Sequence, residues 1–447
     1  MRTLGGVLPL LLLGAVTLAA QQPTAAASRE GCRFRLDSVG GLGRSVVVGF
    51  DTNYYASGFV RLICSDSSAR ISSDSVAVYG RGRNTVADFV GHVRYDDSIT
   101  TQTAERGTYY RNGDRWEARG SVATKNLKDG STIQGPSLDY YRSVRGVRDT
   151  IEMFAIGRPT IHSYPRDSTE TTREPYVIVA DRVRMKGNDQ TWAGGMVTID
   201  RSDFSARSDS LYLNSGPANE GRLIGTPIMR GLGKDSFELH GRRIDLTLDR
   251  QAIKAVRAVG QGHAISKDLD LVGDTIHLNL ENKKLVQTLA WGDSIKPLAL
   301  AADYQIRGDS VAFDTPDQRL RQVRAFRRAW AGGKVDSITK ERDWLSGDTV
   351  IASFTTFDSA GTSRSTLSQL IGSGSAHSYY RLQDKKTTGI PSINYTRGDR
   401  ITVRMKTTGQ RGVDRVKIDG HVDGVHLKPA PPPADTTAGG RPARGKR

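Results

Sequence analysis

The sequence predicts an all-β fold: an elongated stack of bent antiparallel strands built from about ten repeats. Three observations predict it. A short motif recurs through the chain, its strands alternate apolar and polar residues, and the composition suits many short strands and turns. The 447 residues include 48 glycines and are 37% hydrophobic, and helix-type apolar periodicity is hard to find.

The motif is a small residue, an acidic residue, Ser/Thr/Arg, then an aliphatic residue and a second apolar one two places on. It reads Ser73-Asp74-Ser75-Val76, Ala180-Asp181-Arg182-Val183, Ser208-Asp209-Ser210-Leu211 and Gly273-Asp274-Thr275-Ile276. It continues at Gly308-Asp309-Ser310-Val311, Gly347-Asp348-Thr349-Val350 and Gly398-Asp399-Arg400-Ile401, with degenerate copies at Ala104-Glu105, Gly135-Pro136 and Gly241-Arg242. Each copy has a second half, in which a strand reaches a glycine and another run follows, as at Gly120-Ser121-Val122 and Gly420-His421-Val422. A glycine between two alternating runs marks a bend or bulge that turns the strand without ending it. Twice the glycine opens a Gly-x-Pro, at Gly157 and Gly225. Gly260-Gln261-Gly262-His263 invites comparison with a phosphate-binding loop, but such a loop needs a helix after it. The alternating Asp274–Leu280 run that follows makes it another corner.

In each acidic strand the second and fourth residues after the acid should point inward. Those positions are Val183 and Met185, Leu211 and Leu213, Ile244 and Leu246, Ile276 and Leu278, Val311 and Phe313, and Ile401 and Val403. Polar inserts near 158–176, 334–347 and 360–395 read as surface loops or strand extensions.

The ends differ from the array. Met1-Arg2-Thr3 and the apolar run LGGVLPLLLLGAVTLAA have the form of a secretory signal peptide, with cleavage after Ala20 or Ala27 and a leader within 1–27. The mature array then spans 28–427, and 428–447 is a Pro-rich basic tail expected to be disordered. In an oxidising compartment Cys32 and Cys64 can form one disulfide, the alternative being two thiols. No later segment is long and apolar enough for a membrane helix.

Net charge is +16, which calls for an anionic partner. Export argues against nucleic acid and for an anion of the cell envelope. The segment Arg319–Arg328 is the densest basic run, and Arg441, Arg444, Lys446 and Arg447 end the tail. No motif points to catalysis, a metal or a cofactor. His421 and His426 fall five apart on alternating backbone, and Asp268 and Asp270 resemble any polar turn. One acidic residue per repeat is too sparse for a calcium-binding β-roll.

The recurrence of Gly-Asp-x-Ile-x-Leu, a polar turn, and Gly-x-Val or Gly-x-Pro resembles the OstA-like proteins of lipopolysaccharide transport, the Lpt system, over roughly residues 45–427. That resemblance implies a β-jellyroll, a V-shaped stack of two antiparallel sheets whose apolar groove shields acyl chains between inner and outer membrane. It implies lipopolysaccharide or a similar anionic glycolipid as cargo, with the inward positions named above lining the groove. It implies edge-to-edge partners, an inner-membrane-anchored protein and an outer-membrane translocon, and allows a head-to-tail homo-oligomer. Against that pattern the 447 residues are more than a usual bridge component has, and their sequence is expected to form no C-terminal barrel. The alternatives are a structural or adhesive β-repeat with a closed core and a parallel β-helix acting on carbohydrate. An open apolar seam separates the first from the second, and parallel pairing would mark the third.

Overall fold

The computed structural model describes residues 32–428 except 66, 165–173, 217, 233–235, 250–251, 267–268, 283, 302–303, 317–318, 336–339, 360–361, 383–390 and 407–411. The leader, the basic tail and Asp268 lie outside the described residues. Almost everything else is strand; among the described residues there is no α-helix, and a 3₁₀ turn spans Gly82–Asn84.

Each long strand is bent, and its two halves pair separately. In Gln190–Arg201 the first half, Gln190–Gly194, pairs with Arg182–Lys186 on one side and Ser210–Asn214 on the other. Its second half, beyond a register shift between Gly194 and Val197, pairs with Tyr176–Val179 and with Phe204–Ser208. The neighbouring strands bend at the same level, so the first halves join into one layer and the second halves into another. Strands follow one another across the stack in chain order, and every pairing among the described residues is antiparallel. Antiparallel pairing rules out the parallel β-helix.

The bend has a repeated cause. At most corners a glycine and the residue after it both have positive φ, as at Gly91-His92, Gly120-Ser121, Gly195-Met196, Gly260-Gln261, Gly374-Ser375 and Gly420-His421. Two left-handed residues in sequence insert a bulge and swing the strand from one layer into the other. The motif's acidic side chain sits under the corner glycine of a neighbouring strand. A Cβ on Gly195 would overlap Asp181, one on Gly225 would overlap Asp209, and one on Gly420 would overlap Asp399. The degenerate copies fill the same place with Glu105 under Gly120, Pro136 under Gly157 and Arg242 under Gly260. The acid also bonds groups beside the corner. His92 Nδ1 donates to Asp74 at 2.8 Å, Ser121 Oγ to Glu105 at 2.7 Å and His421 Nδ1 to Asp399 at 2.9 Å. Acid and glycine recur together because each shapes the other's site.

One corner lacks the glycine. Arg327 and Arg328 hold φ of 57° and 49°, a region that costs a residue with a Cβ about 1–2 kcal/mol. Arg328 donates to Asp309 at 2.7 Å and holds that half-buried carboxyl below its usual pKa, so it has a role there. Arg327 is exposed. Arg327→Gly is therefore expected to raise stability by about 1 kcal/mol, the relief of strain exceeding the added chain entropy of glycine. Thermal melts of the two proteins check this, and an unchanged or lower midpoint would count against the corner account.

Between the layers runs one contiguous apolar core. Side chains two apart along each strand enter it, and the inward set read from the sequence is there. Ile244, Ile276, Phe313 and Ile401 are fully buried, Val183, Leu211, Leu246, Leu278, Val311 and Val403 are buried, and Met185 and Leu213 are partly buried against them. A disulfide joins Cys32 to Cys64 and ties the first strand, Phe34–Val39, to the return strand beside it. Closing a loop of that span, 32 residues apart in sequence, contributes about 3–4 kcal/mol on the chain-entropy account.

The insert expected at 360–395 is mostly regular structure. Trp344–Ser359 and Thr362–Leu382 form a long hairpin, and Ser392–Met405 adds to its far side. Thr362–Leu382 is rich in Ser, Thr and Gly, and a register shift between Ser353 and Phe354 breaks its period. Leu367 and Leu370 both reach the core although they are three apart. The other two inserts also contain strand. Thr160–Ser163 lies within 158–176, and Trp344 begins its strand inside 334–347.

Candidate functional site

The hairpin turns of the two layers face each other across the edge opposite the glycine corners, like two lips. In the middle of the stack the lips enclose an apolar cavity of about 130 Å³. Ile133, Ile161, Ile178 and Ile199 come from one layer, and Met153, Met185, Leu211, Leu213 and Leu246 from the other. These meet because each is an inward position of its strand, and the layers pack face to face. The rim is polar: Asn126, Asp129, Ser131 and Ser163 on one lip, Asn188 and Ser215 on the other. Lys128 stands on the first lip's turn and Lys186 adjoins the second, both exposed.

A smaller cavity of about 80 Å³ continues along the seam, sharing Tyr176, Phe204 and Ile253 with the first and adding Met229, Phe237 and Leu280. A cavity near 150 Å³ lined by aliphatic side chains accepts a benzene-sized group. The larger cavity is thus the size of a chain segment, and a whole acyl chain would need the lips to part.

Toward the N-terminus the cavity is stopped by a polar and aromatic wall. Tyr95 and Trp116 stack with ring centroids 5.6 Å apart, and Tyr140 packs edge-on to Tyr95 at 5.8 Å. The Tyr95 and Tyr140 hydroxyls donate to Asp97 at 2.9 and 3.1 Å, and the Ile99 and Thr100 amides donate to its other oxygen at 2.8 Å. Burial, reinforced by the Asp97 charge, pushes both phenols above their ordinary pKa. Tyr109 is raised in the same way, by burial and by Asp114, to which its hydroxyl donates at 2.9 Å.

The structure sorts the sequence-predicted groove residues. Met185, Leu211, Leu213 and Leu246 line the cavity. Val183, Ile244, Ile276, Leu278, Val311, Phe313, Ile401 and Val403 are sealed among the chain's own side chains. Alternation cannot separate the two groups, since both point inward. Thr100 and Thr124, which line the cavity, and the buried Gln102 went unnoticed in the sequence, where polar residues at inward positions were the available signal.

Other candidates disperse. His421 bonds Asp399, His426 bonds Asn394 at 2.6 Å, and Asp270 accepts from His263 at 2.8 Å. In the basic run Arg324 pairs with Asp314 at 2.9 Å and Arg328 with Asp309, so two of its charges are spent on the corner and its flank. Burial lowers the His277 pKa, keeping that ring neutral near pH 7. Among the described residues no group of acidic, His or Cys side chains is arranged to hold a metal ion. No family model and no curated protein matches the chain.

Proposed function

We propose that the chain is a non-enzymatic periplasmic carrier or bridge for lipopolysaccharide or a related anionic glycolipid, shielding acyl chains from water between the inner and outer membranes. The observation that carries this reading is the apolar cavity between the lips, with its polar rim and nearby Lys128 and Lys186. Each methylene moved from water into such a site contributes about 0.8 kcal/mol without fixing a direction, so a chain can bind and still slide. Lysines at the lips suit a phosphate held outside by charge-assisted hydrogen bonds.

The ends of the stack support a place in a chain of like modules. At the N-terminal edge Gly43–Val48 is exposed throughout, with Val47 at 73% and the adjoining Phe50 at 95% exposure. At the other end Asp423–Leu427 is fully exposed, with Val425 and Leu427 both apolar. Unpaired strand edges with apolar side chains invite β-augmentation by another jellyroll, by an inner-membrane-anchored partner or outer-membrane translocon, or by a second copy head to tail.

A closed structural repeat is the second reading, and the fully buried Ile276, Phe313 and Ile401 favour it for the C-terminal half. The two readings part at the cavity. Leu213→Trp fills it at an overpacking cost of about 1–3 kcal/mol. On the carrier reading, the wild-type protein purified from its own envelope yields acyl lipid on extraction, and the folded Leu213→Trp protein yields much less. Equal yields, or none from either, would refute the carrier reading.

A further inference from the structure

On the outer face of the C-terminal part of the stack, aromatic side chains stand where alternation asks for polar ones. Ile306, Ala331, Leu345, Ser378 and Asn394 point inward and are buried. Their strand neighbours Arg307, Trp330, Trp344, Tyr379 and Tyr395 therefore point outward. In register, Gly332 faces Trp344, Trp344 faces Tyr379, and Tyr379 faces Tyr395. The Trp330 ring lies along its strand over Gly332, where a Cβ would fall 2.1 Å from it, and so completes the row. Neighbouring strands thus carry one aromatic row about 14 Å across, three strand spacings.

The row ends in a basic groove. Beside Trp330 an open space of about 470 Å³ is lined by Lys296, Gln305, Arg307 and Arg342. The Arg307 and Arg342 guanidiniums lie 4.7 and 5.8 Å from the centre of the same Trp330 ring. Arg342 also donates to Gln305 Oε1 at 2.6 Å. Lys296 reaches Asp293 at 3.3 Å and Asp309 at 3.6 Å, but neither arginine has a carboxylate partner among the described residues. At the other side of the row the Tyr379 hydroxyl donates to Glu341, and Asp343 pairs with Arg381 at 2.8 Å.

Cross-strand aromatic pairs stabilise a sheet by themselves. Two guanidiniums gathered on one indole with no carboxylate are not accounted for in that way, since like charges repel until an anion joins them. Their planar forks match a carboxylate. A pyranose ring offers a face of C–H bonds to an aromatic ring and an edge of hydroxyls, which carboxylates such as Glu341 accept from. The same carboxylates repel a ligand charged at every unit. The face therefore suits a ligand with acid groups at intervals and neutral rings between them.

We propose that this face docks a glycan strand in which acidic and neutral sugars alternate, the acid in the arginine groove and the neutral rings along the aromatic row. The site is separate from the cavity between the lips. From the strand of Phe204 to that of Trp330 the layer runs through seven pairings, about 30 Å. A headgroup held at the lips does not reach it, so the occupant is a glycan free of lipid.

The test is calorimetric titration of the full chain with two lipid-free hexasaccharides, one alternating glucuronate and N-acetylglucosamine, the other N-acetylglucosamine alone. The alternating probe is expected to bind about tenfold tighter, the effect of a charge-assisted hydrogen-bonded pair. The double variant Arg307→Gln, Arg342→Gln should bring that ratio near one. Trp344→Thr should weaken both probes about tenfold, the loss of one stacked ring, and Tyr395→Thr serves if it does not fold. Binding of neither probe to the wild-type protein would overturn the proposal and leave the carrier reading standing, because the cavity takes no part. Equal binding of the two would overturn the role of the arginines. Binding unchanged in the aromatic variants would overturn the placement on this face.

Discussion

Asp97→Ala is expected to cost about 3–5 kcal/mol, the largest loss from any single polar truncation in the N-terminal third. Asp97 accepts from two phenols, Tyr95 at 1% exposure and Tyr140 at 0%, and from two amides of its own turn. Removing the carboxylate strands both phenols, at about 1–3 kcal/mol for each buried group left without a partner. The turn amides belong to half-buried Ile99 and fully buried Thr100, and leaving them without the carboxylate adds to the loss. Removing donors and acceptor together is a different matter, since apolar replacement of both partners is nearly neutral. The triple variant Asp97→Ala, Tyr95→Phe, Tyr140→Phe should recover most of the loss. Urea melts of the single, double and triple variants check this. A single variant within 0.5 kcal/mol of wild type, the reach of an ordinary surface substitution, would show that the network carries no stability.

Alkali should unfold the protein in a narrow window, and this is the second large effect. Tyr95, Tyr109 and Tyr140 have raised pKa values, burial being the main cause in each and a neighbouring aspartate the next. In the unfolded chain these phenols ionise near pH 10. The sign follows from which state takes up the charge. Below pH 10 the phenols are neutral in both states and the stability they confer is fully present. Above pH 10 the unfolded state loses protons that the folded state keeps, so stability is lost as pH rises toward the folded pKa values. Each phenol loses about 1 kcal/mol between pH 10 and 11 and about 1.4 kcal/mol per unit above that, so three together lose about 3 kcal/mol over the first unit. Phenolate absorbance should therefore rise in two steps, the exposed members of the 15 tyrosines first and the buried three only with unfolding. A smooth titration of all tyrosines in a protein that stays folded would contradict it.

Much of the architecture was legible because its causes are local. The acid under each corner and the glycine above it are a pair of sterically coupled choices, so they recur together and can be counted. Even the degenerate copies at Glu105, Pro136 and Arg242 occupy the acid's place. The inward positions were legible because strand period is strict between corners. The 360–395 insert stayed open between loop and strand extension because Ser and Thr carry its strands and a register shift breaks the period. The cavity was illegible for a deeper reason. Leu213 and Phe313 hold equivalent places in their repeats, yet one lines the cavity and the other is sealed. What separates them is the size of the side chains on the facing layer and the spread of the lips, both set by distant parts of the sequence. Thr100, Gln102 and Thr124 were the local sign, polar residues where alternation asks for apolar ones.

The central claim is that the cavity between the lips holds an acyl chain. A photoreactive side chain at Leu213, compared with Phe313 and with outward-facing Tyr212, tests it most directly when the full chain is illuminated in its own envelope. The account predicts an acyl-lipid adduct at Leu213, with none at Phe313 or Tyr212. Absence of an adduct at Leu213 in folded protein, or equal adducts at all three positions, would contradict it.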